Sequence, residues 1–115
     1  GDWAILGGMT GVHQFVKIGA HAMTGGGTIL FQDLPPYVMA SGNPAKTYGI
    51  NTEGLRRRGF SNEAIAALRR AYKTIYRSNL TLTEAIEQLA QQQDEWPELK
   101  ILVDFLREAK RGILR

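Results

Sequence analysis

Apolar positions in the first third of the chain recur every six residues. Leu6, Val12, Ile18, Thr24 and Leu30 form one column. Thr10, Val16, Ala22, Thr28 and Leu34, four positions on from each, form a second that is mostly small or β-branched, and Gly7, Gly19 and Gly25 directly follow members of the first. A fixed period is the mark of a repeat architecture. Here the bulky aliphatic points inward at a fixed corner, the small partner fills the gap, and glycine permits the turn between short strands. Three such turns close a triangular coil. Stacked coils make a parallel β-helix in which each inward side chain lies over its equivalent one coil away, about 4.8 Å along the axis. A pair of irregular strands and loops accounts less well for five matches in register.

The run Asp33-Leu34-Pro35-Pro36-Tyr37 is expected to end the repeat, because two consecutive prolines donate no ladder hydrogen bonds. Val38 to Ala40 predicts one last short strand, and Gly42-Asn43-Pro44-Ala45 reads as a turn leaving the β-helix. Asn51 to Arg58 predicts a short helix. Ser61 caps a longer one with Ile65, Leu68, Tyr72, Ile75 and Tyr76 at helical spacing, leaving Arg69, Arg70, Lys73 and Arg77 toward solvent. Thr81-Leu82-Thr83-Glu84 is a capping box ahead of an apolar stripe of Leu82, Ile86 and Leu89. Pro97 suits the first turn of a further helix carrying Leu99, Leu102, Phe105 and Leu106, predicted to end near Gly112. The fold class expected is mixed: terminal β-helix coils over residues 1–43, then an all-α part over 44–115.

Composition supports that division. Ten of the 13 glycines lie before residue 50, and 12 of the 14 Lys and Arg lie after it, so the second half carries the net charge of +3. At 115 residues and 43% hydrophobic the chain has enough material for one limited core. It opens without Met inside a repeat already running, and its five hexapeptides make fewer than two coils, so a piece of a longer protein with earlier coils is expected. No cysteine is present, which excludes a disulfide framework or thiolate metal site. No apolar run approaches the roughly 20 residues of a membrane span, and no metal or cofactor is called for by any residue cluster.

Candidate chemistry gathers in three places. His13 and Gln14 stand at a coil corner and are read first as surface residues. The cluster Gly25-Gly26-Gly27 is a tight turn, and a side-chain-free position facing a groove also leaves room for a long alkyl chain. Arg56, Arg57 and Arg58 make a solvated basic face or a nucleic-acid patch on composition alone. Arginine forks also bind diphosphates bidentately, and an Asn/Glu pair satisfies the polar edge of a base and ribose hydroxyls. No Ser/His/Asp or Cys/His arrangement accompanies His13.

The runs Ile5-Leu6-Gly7-Gly8-Met9-Thr10-Gly11-Val12-His13-Gln14-Phe15, Gln32 to Val38, Gly42-Asn43-Pro44-Ala45 and Gly49 to Phe60 resemble, in order, the last coils and following helices of bacterial UDP-N-acetylglucosamine O-acyltransferases, the family that opens lipid A synthesis. The hexapeptides and Gly-Asn-Pro-Ala are shared by many sugar-nucleotide acyltransferases, whereas Asn-x-Glu-Gly-Leu-x-Arg-Arg-Gly-Phe is specific. The resemblance implies a left-handed β-helix and a cytoplasmic homotrimer. It implies transfer of a 3-hydroxyacyl chain from acyl carrier protein to the 3-hydroxyl of UDP-N-acetylglucosamine, without cofactor or metal.

By the same resemblance His13 and Gln14 contact substrate in a cleft between subunits, and Asn51, Glu53, Arg57 and Arg58 hold the nucleotide, with Arg56 a weaker match. Gly26 acts as the acyl-chain ruler, glycine there implying a longer chain. The family's general base matches a histidine before Gly1, so this segment carries no catalytic residue and is expected to be inactive alone. His21 matches no functional position and is expected to be structural. Some relatives have histidine where this chain has Pro44, so its contact has no counterpart here. Because acyl carrier proteins are strongly acidic, Arg69, Arg70, Lys73 and Arg77 are a candidate docking surface. Two alternatives remain: an oligomerisation or binding module for an acidic partner, and a sister enzyme acylating an amino sugar on nitrogen. Nucleic acid is disfavoured as the partner by the lack of aromatic interleaving.

Overall fold

The structure, a computed structural model, describes residues 1–109 and 112–115. Six strands precede four helices: β1 (Ile5–Leu6), β2 (Gly11–Val12), β3 (Met23–Thr24), β4 (Ile29–Leu30), β5 (Val38–Ser41), β6 (Lys46–Ile50), α1 (Thr52–Arg57), α2 (Asn62–Tyr76), α3 (Leu82–Ala90) and α4 (Glu98–Glu108). The strands stack as parallel coils with three sides. One side is β1–β3–β5, the second is β2–β4, and the third is the parallel bridge of Ile18 with Leu34. Ile5 lies opposite Met23 and Gly11 opposite Ile29, so one coil takes 18 residues, or three hexapeptides.

The turns follow the same period in an unexpected way. Trp3, Met9, Phe15, His21 and Gly27, six apart, all have φ between 59° and 74°. Side-chain-bearing residues therefore occupy four of the five left-handed corners, where they are normally disfavoured. The expectation that glycine makes the turn is corrected at Gly7 and Gly19. Neither has positive φ; each is glycine because a neighbouring coil lies against it. A Cβ on Gly7 would stand 2.6 Å from the Gly25 carbonyl carbon, and one on Gly19 would overlap Pro36.

Inside the coils, Ala22, Thr24, Thr28, Leu30 and Leu34 are buried, whereas Leu6 and Val12, on the edge strands β1 and β2, are exposed. The buried Thr24 and Thr28 and the half-buried Thr10 are satisfied within the coils. Thr28 Oγ1 donates to the Gly25 carbonyl, Thr10 Oγ1 donates to the Gly7 carbonyl at 2.6 Å, and the Thr24 hydroxyl accepts from the Gly7 N–H at 3.1 Å.

The repeat shortens ahead of the prolines and does not end at them. Leu34 pairs with Ile18 and Met39 with Met23, an offset of 16, so the second coil loses two residues after Leu30. Leu34 thereby stacks on the first column, not the second. Asp33 closes the shortcut by accepting the Lys17 N–H at 2.8 Å.

The turn at residues 42–45 does not leave the sheet. It folds β6 back antiparallel on β5, so residues 44–115 open with a strand and are not all-α. α4 ends at Glu108, earlier than the expected position near Gly112, and beyond it Ile113 bridges to Asp33. The helix caps are as predicted: Ser61 accepts from the Ala64 N–H at 3.0 Å, and Thr81 and Glu84 form a reciprocal capping box. Ile65, Leu68, Tyr72 and Ile75 of α2, Leu89 of α3 and Leu99, Leu102 and Leu106 of α4 share one core with Leu34, Tyr37 and Val38 of the coils. No described helix is long and apolar enough to cross a membrane.

Candidate functional site

Helix α1 begins where β6 runs out. Asn51 is its N-cap, 5% exposed, and its Oδ1 accepts from the Gly54 N–H at 3.2 Å. The Asn51 Nδ2 donates to the His21 carbonyl at 3.3 Å, tying the helix start to a coil corner. Gly54 is required by this cap, since a Cβ there would stand 2.8 Å from Asn51 Cγ. One amide hydrogen and one lone pair of Asn51 remain for another partner.

The predicted charged residues leave α1 in two directions. Arg57 Nη2 donates to Glu53 Oε1 at 2.7 Å, one turn apart, with both side chains more than three-quarters exposed. Arg58, at the C-cap, lays its guanidinium 3.7 Å from the centroid of the Trp3 ring. Arg56 is exposed. His21 sits beside this group with its ring 5.7 Å from Tyr37, stacked, and 5.0 Å from Phe60, edge-on. Burial and then the Arg58 charge lower its pKa, against a smaller opposing effect of Asp2. The structural role expected for His21 is its role here: a ring packed at the seam between coil and helix.

His13 and Gln14 form a second group on the coil surface, both exposed. His13 Nδ1–H donates to the Gln14 carbonyl at 3.3 Å, and its ring lies 5.8 Å from Phe31 on the next coil. Among the described residues no hydrogen bond or ion pair joins His13 or Gln14 to α1, so the chain does not bring the two predicted groups together. Gly26 lies over Gly8 one coil away: a Cβ on Gly26 would be 3.3 Å from the Gly8 carbonyl, and one on Gly8 would touch nothing within 4 Å. The two make a bare strip on the coil surface.

Arg69, Arg70, Lys73 and Arg77 are exposed along α2 as predicted. Arg69 Nη2 donates to Thr52 Oγ1 at 3.4 Å. Arg69, Lys73 and Arg77 line a cavity of about 620 Å³ with Tyr48 and Gly49 of β6. No group of three or more His, Cys, Asp or Glu that would hold a metal occurs among the described residues.

Sequence reasoning missed Trp3, Phe31 and Tyr48. Trp3 carried a usable signal, since it falls on the same six-residue series as Met9, Phe15 and His21. Tyr48 carried none, because only the folding back of β6 puts it beside α2.

The family model described as "Udp N-acetylglucosamine O-acyltransferase; Domain 2" matches residues 33–114. The acyl-[acyl-carrier-protein]--UDP-N-acetylglucosamine O-acyltransferase of Thiobacillus denitrificans is 59% identical over 115 residues, and that of Burkholderia mallei 56% over 119. All of this chain is covered in both matches, and it spans 45% of the length of each relative. Among solved structures, LpxA from Acinetobacter baumannii superposes with a TM-score of 0.96 at 48% identity, over 99% of this chain and 45% of that one. The UDP-N-acetylglucosamine acyltransferase of Francisella novicida gives 0.95 at 40% identity, over 99% and 42%. On the family match over the shortened coil and all four helices, this chain belongs to the UDP-N-acetylglucosamine O-acyltransferase family.

Proposed function

We propose that these residues are the nucleotide- and carrier-binding part of an enzyme that moves a 3-hydroxyacyl chain from acyl carrier protein to the 3-hydroxyl of UDP-N-acetylglucosamine, the first step of lipid A synthesis. The observation that carries this reading is the pair of guanidinium groups at the end of α1. Arg57 is held by Glu53 at 2.7 Å and Arg58 by the Trp3 ring at 3.7 Å, so two exposed forks stand preset at the end of α1. Preset forks suit a diphosphate, which accepts two bidentate pairs. Glu53 and the unused valences of Asn51 serve the ribose and the base.

His13 and Gln14 contact the sugar and acyl carbonyl. The bare Gly8–Gly26 strip takes the alkyl chain, and Gly26 sets its length: Gly26→Met should shift preference to a shorter acyl donor. Arg69, Arg70, Lys73 and Arg77 receive the acidic carrier. Ester formation needs a base on the sugar hydroxyl and a donor for the oxyanion. The base comes from outside these 115 residues, so the chain alone is inactive. The His13 group and α1 lie apart in one chain, which fits a cleft completed by a neighbouring copy in a cytoplasmic homotrimer built on a left-handed β-helix.

The test is calorimetric titration with UDP-N-acetylglucosamine of this chain and of one of the relatives' full length, each with and without Arg57→Ala/Arg58→Ala. Binding by the longer chain that drops at least about tenfold in the double variant supports the assignment. A folded, trimeric longer chain indifferent to the nucleotide would sink it.

A further inference from the structure

We propose that the cavity between β6 and α2 binds an organic phosphate, a phosphate ester whose substituent is aromatic or apolar. Arg69, Lys73 and Arg77 form one wall, and Tyr48 and Gly49 face them across about 620 Å³, a size typical of small-molecule sites. The three cations are spaced four residues apart on one helix face, about 6 Å from one to the next along the axis. None forms an ion pair with a described residue; the chain's two described pairs are Glu53–Arg57 and Lys100–Asp104.

Like charges one turn apart repel. The helix C-terminal dipole offsets that for Lys73 and Arg77, but not for Arg69 in mid-helix. An anion seated among all three offsets it throughout. Arg69 is already steadied from outside by the Thr52 hydroxyl at 3.4 Å.

The organic part of the ligand follows from Tyr48. Tyr48 is 61% exposed although it stands in a strand packed on both β5 and α2. It lines this cavity and also a smaller groove of about 220 Å³ made by Met23, Gly25, Met39 and Ser41 along the coil. A basic pocket opening at an aromatic ring into an apolar groove fits a phosphate with an organic arm better than an inorganic ion. Stacking on Tyr48 and burial against Met23 and Met39 hold the arm.

This deepens the carrier-docking role proposed for the same face, and separates Arg70, which is outside the cavity, from the other three. The phosphate has two possible sources: a free nucleotide-class ester, or the phosphodiester that links a carrier protein to its prosthetic arm.

The probes are adenosine 3′,5′-bisphosphate, and acyl carrier protein with and without its phosphodiester-linked arm. Each is titrated into this chain, Arg69→Ala/Lys73→Ala/Arg77→Ala, Tyr48→Ala and Arg70→Ala, with folding of each variant checked by circular dichroism. A free-ester source predicts bisphosphate binding that weakens at least about tenfold in the triple variant and severalfold in Tyr48→Ala, with Arg70→Ala unchanged. A carrier source predicts no such binding, but a carrier affinity that falls on removal of the arm in the parent chain and not in the triple variant. If the bisphosphate does not bind and carrier affinity ignores the arm, the phosphate site is overturned. Should carrier affinity then still fall in both charge variants, the docking surface survives without it.

Discussion

At the scale of single residues, identity is set by what lies one coil away as much as by local chain geometry. Gly7 and Gly8 are neighbours in sequence with opposite demands. A Cβ on Gly7 meets backbone at 2.6 Å, whereas one on Gly8 meets nothing. Gly7→Ala is therefore expected to cost about 1–3 kcal/mol through forced separation of the coils, and Gly8→Ala to be near neutral. Urea denaturation of both variants decides the point, and equal losses would refute it. His21 gives a pH dependence. Its folded pKa lies below its ordinary 6.5, so as pH falls below that value the unfolded chain takes up the proton first. The stability present above about pH 6.5 is then lost progressively down through the folded pKa. His21→Gln should flatten that slope in denaturation midpoints measured between pH 7 and 5.

Among the elements, the helices are specified by their own ends. Thr81 accepts from the Glu84 N–H at 3.2 Å, and Glu84 Oε1 accepts from the Thr81 N–H at 2.9 Å. These bonds hold the Glu84 carboxyl below its usual range. Thr81→Ala is expected to cost about 1 kcal/mol and to return the Glu84 titration toward its ordinary value, read by NMR. The Glu84 contribution is present above that value and fades as pH falls through the depressed folded pKa. The coils are specified differently. The strands β1 to β4 are only two residues long, so no local propensity would form them alone; pairing at an 18-residue offset does.

At the scale of the whole molecule, coil and helices are joined by buried phenols. The Tyr37 hydroxyl donates to the Glu98 carbonyl at 2.9 Å, and the Tyr76 hydroxyl to the Leu114 carbonyl at 2.7 Å. Burial and the Glu98 charge raise the Tyr37 pKa, and burial foremost raises that of Tyr76, so both remain donors well into alkaline pH. Tyr37→Phe should lower global stability by about 1 kcal/mol, since the part-buried Glu98 carbonyl loses its donor. Comparing the coil and helix signals across the unfolding transition would show whether the two parts then separate; a coincident, unshifted transition would mean the bond contributes nothing.

The sequence by itself determined whatever rests on short-range periodicity or capping: the six-residue inward columns, the caps at Ser61 and Thr81, the buried faces of α2, α3 and α4, and the exposed basic row. These depend on residues within a few positions of one another, where spacing and side-chain chemistry are sufficient. It also carried the family motif from Asn51 to Phe60. Only the tertiary structure decided the rest. The two-residue shortening at Asp33, the recruitment of Trp3 to Arg58, and the cavity closed by Tyr48 each join residues more than 15 positions apart. Such contacts are settled by which surfaces meet when the coils stack and the helices close over them, and no local pattern encodes that meeting.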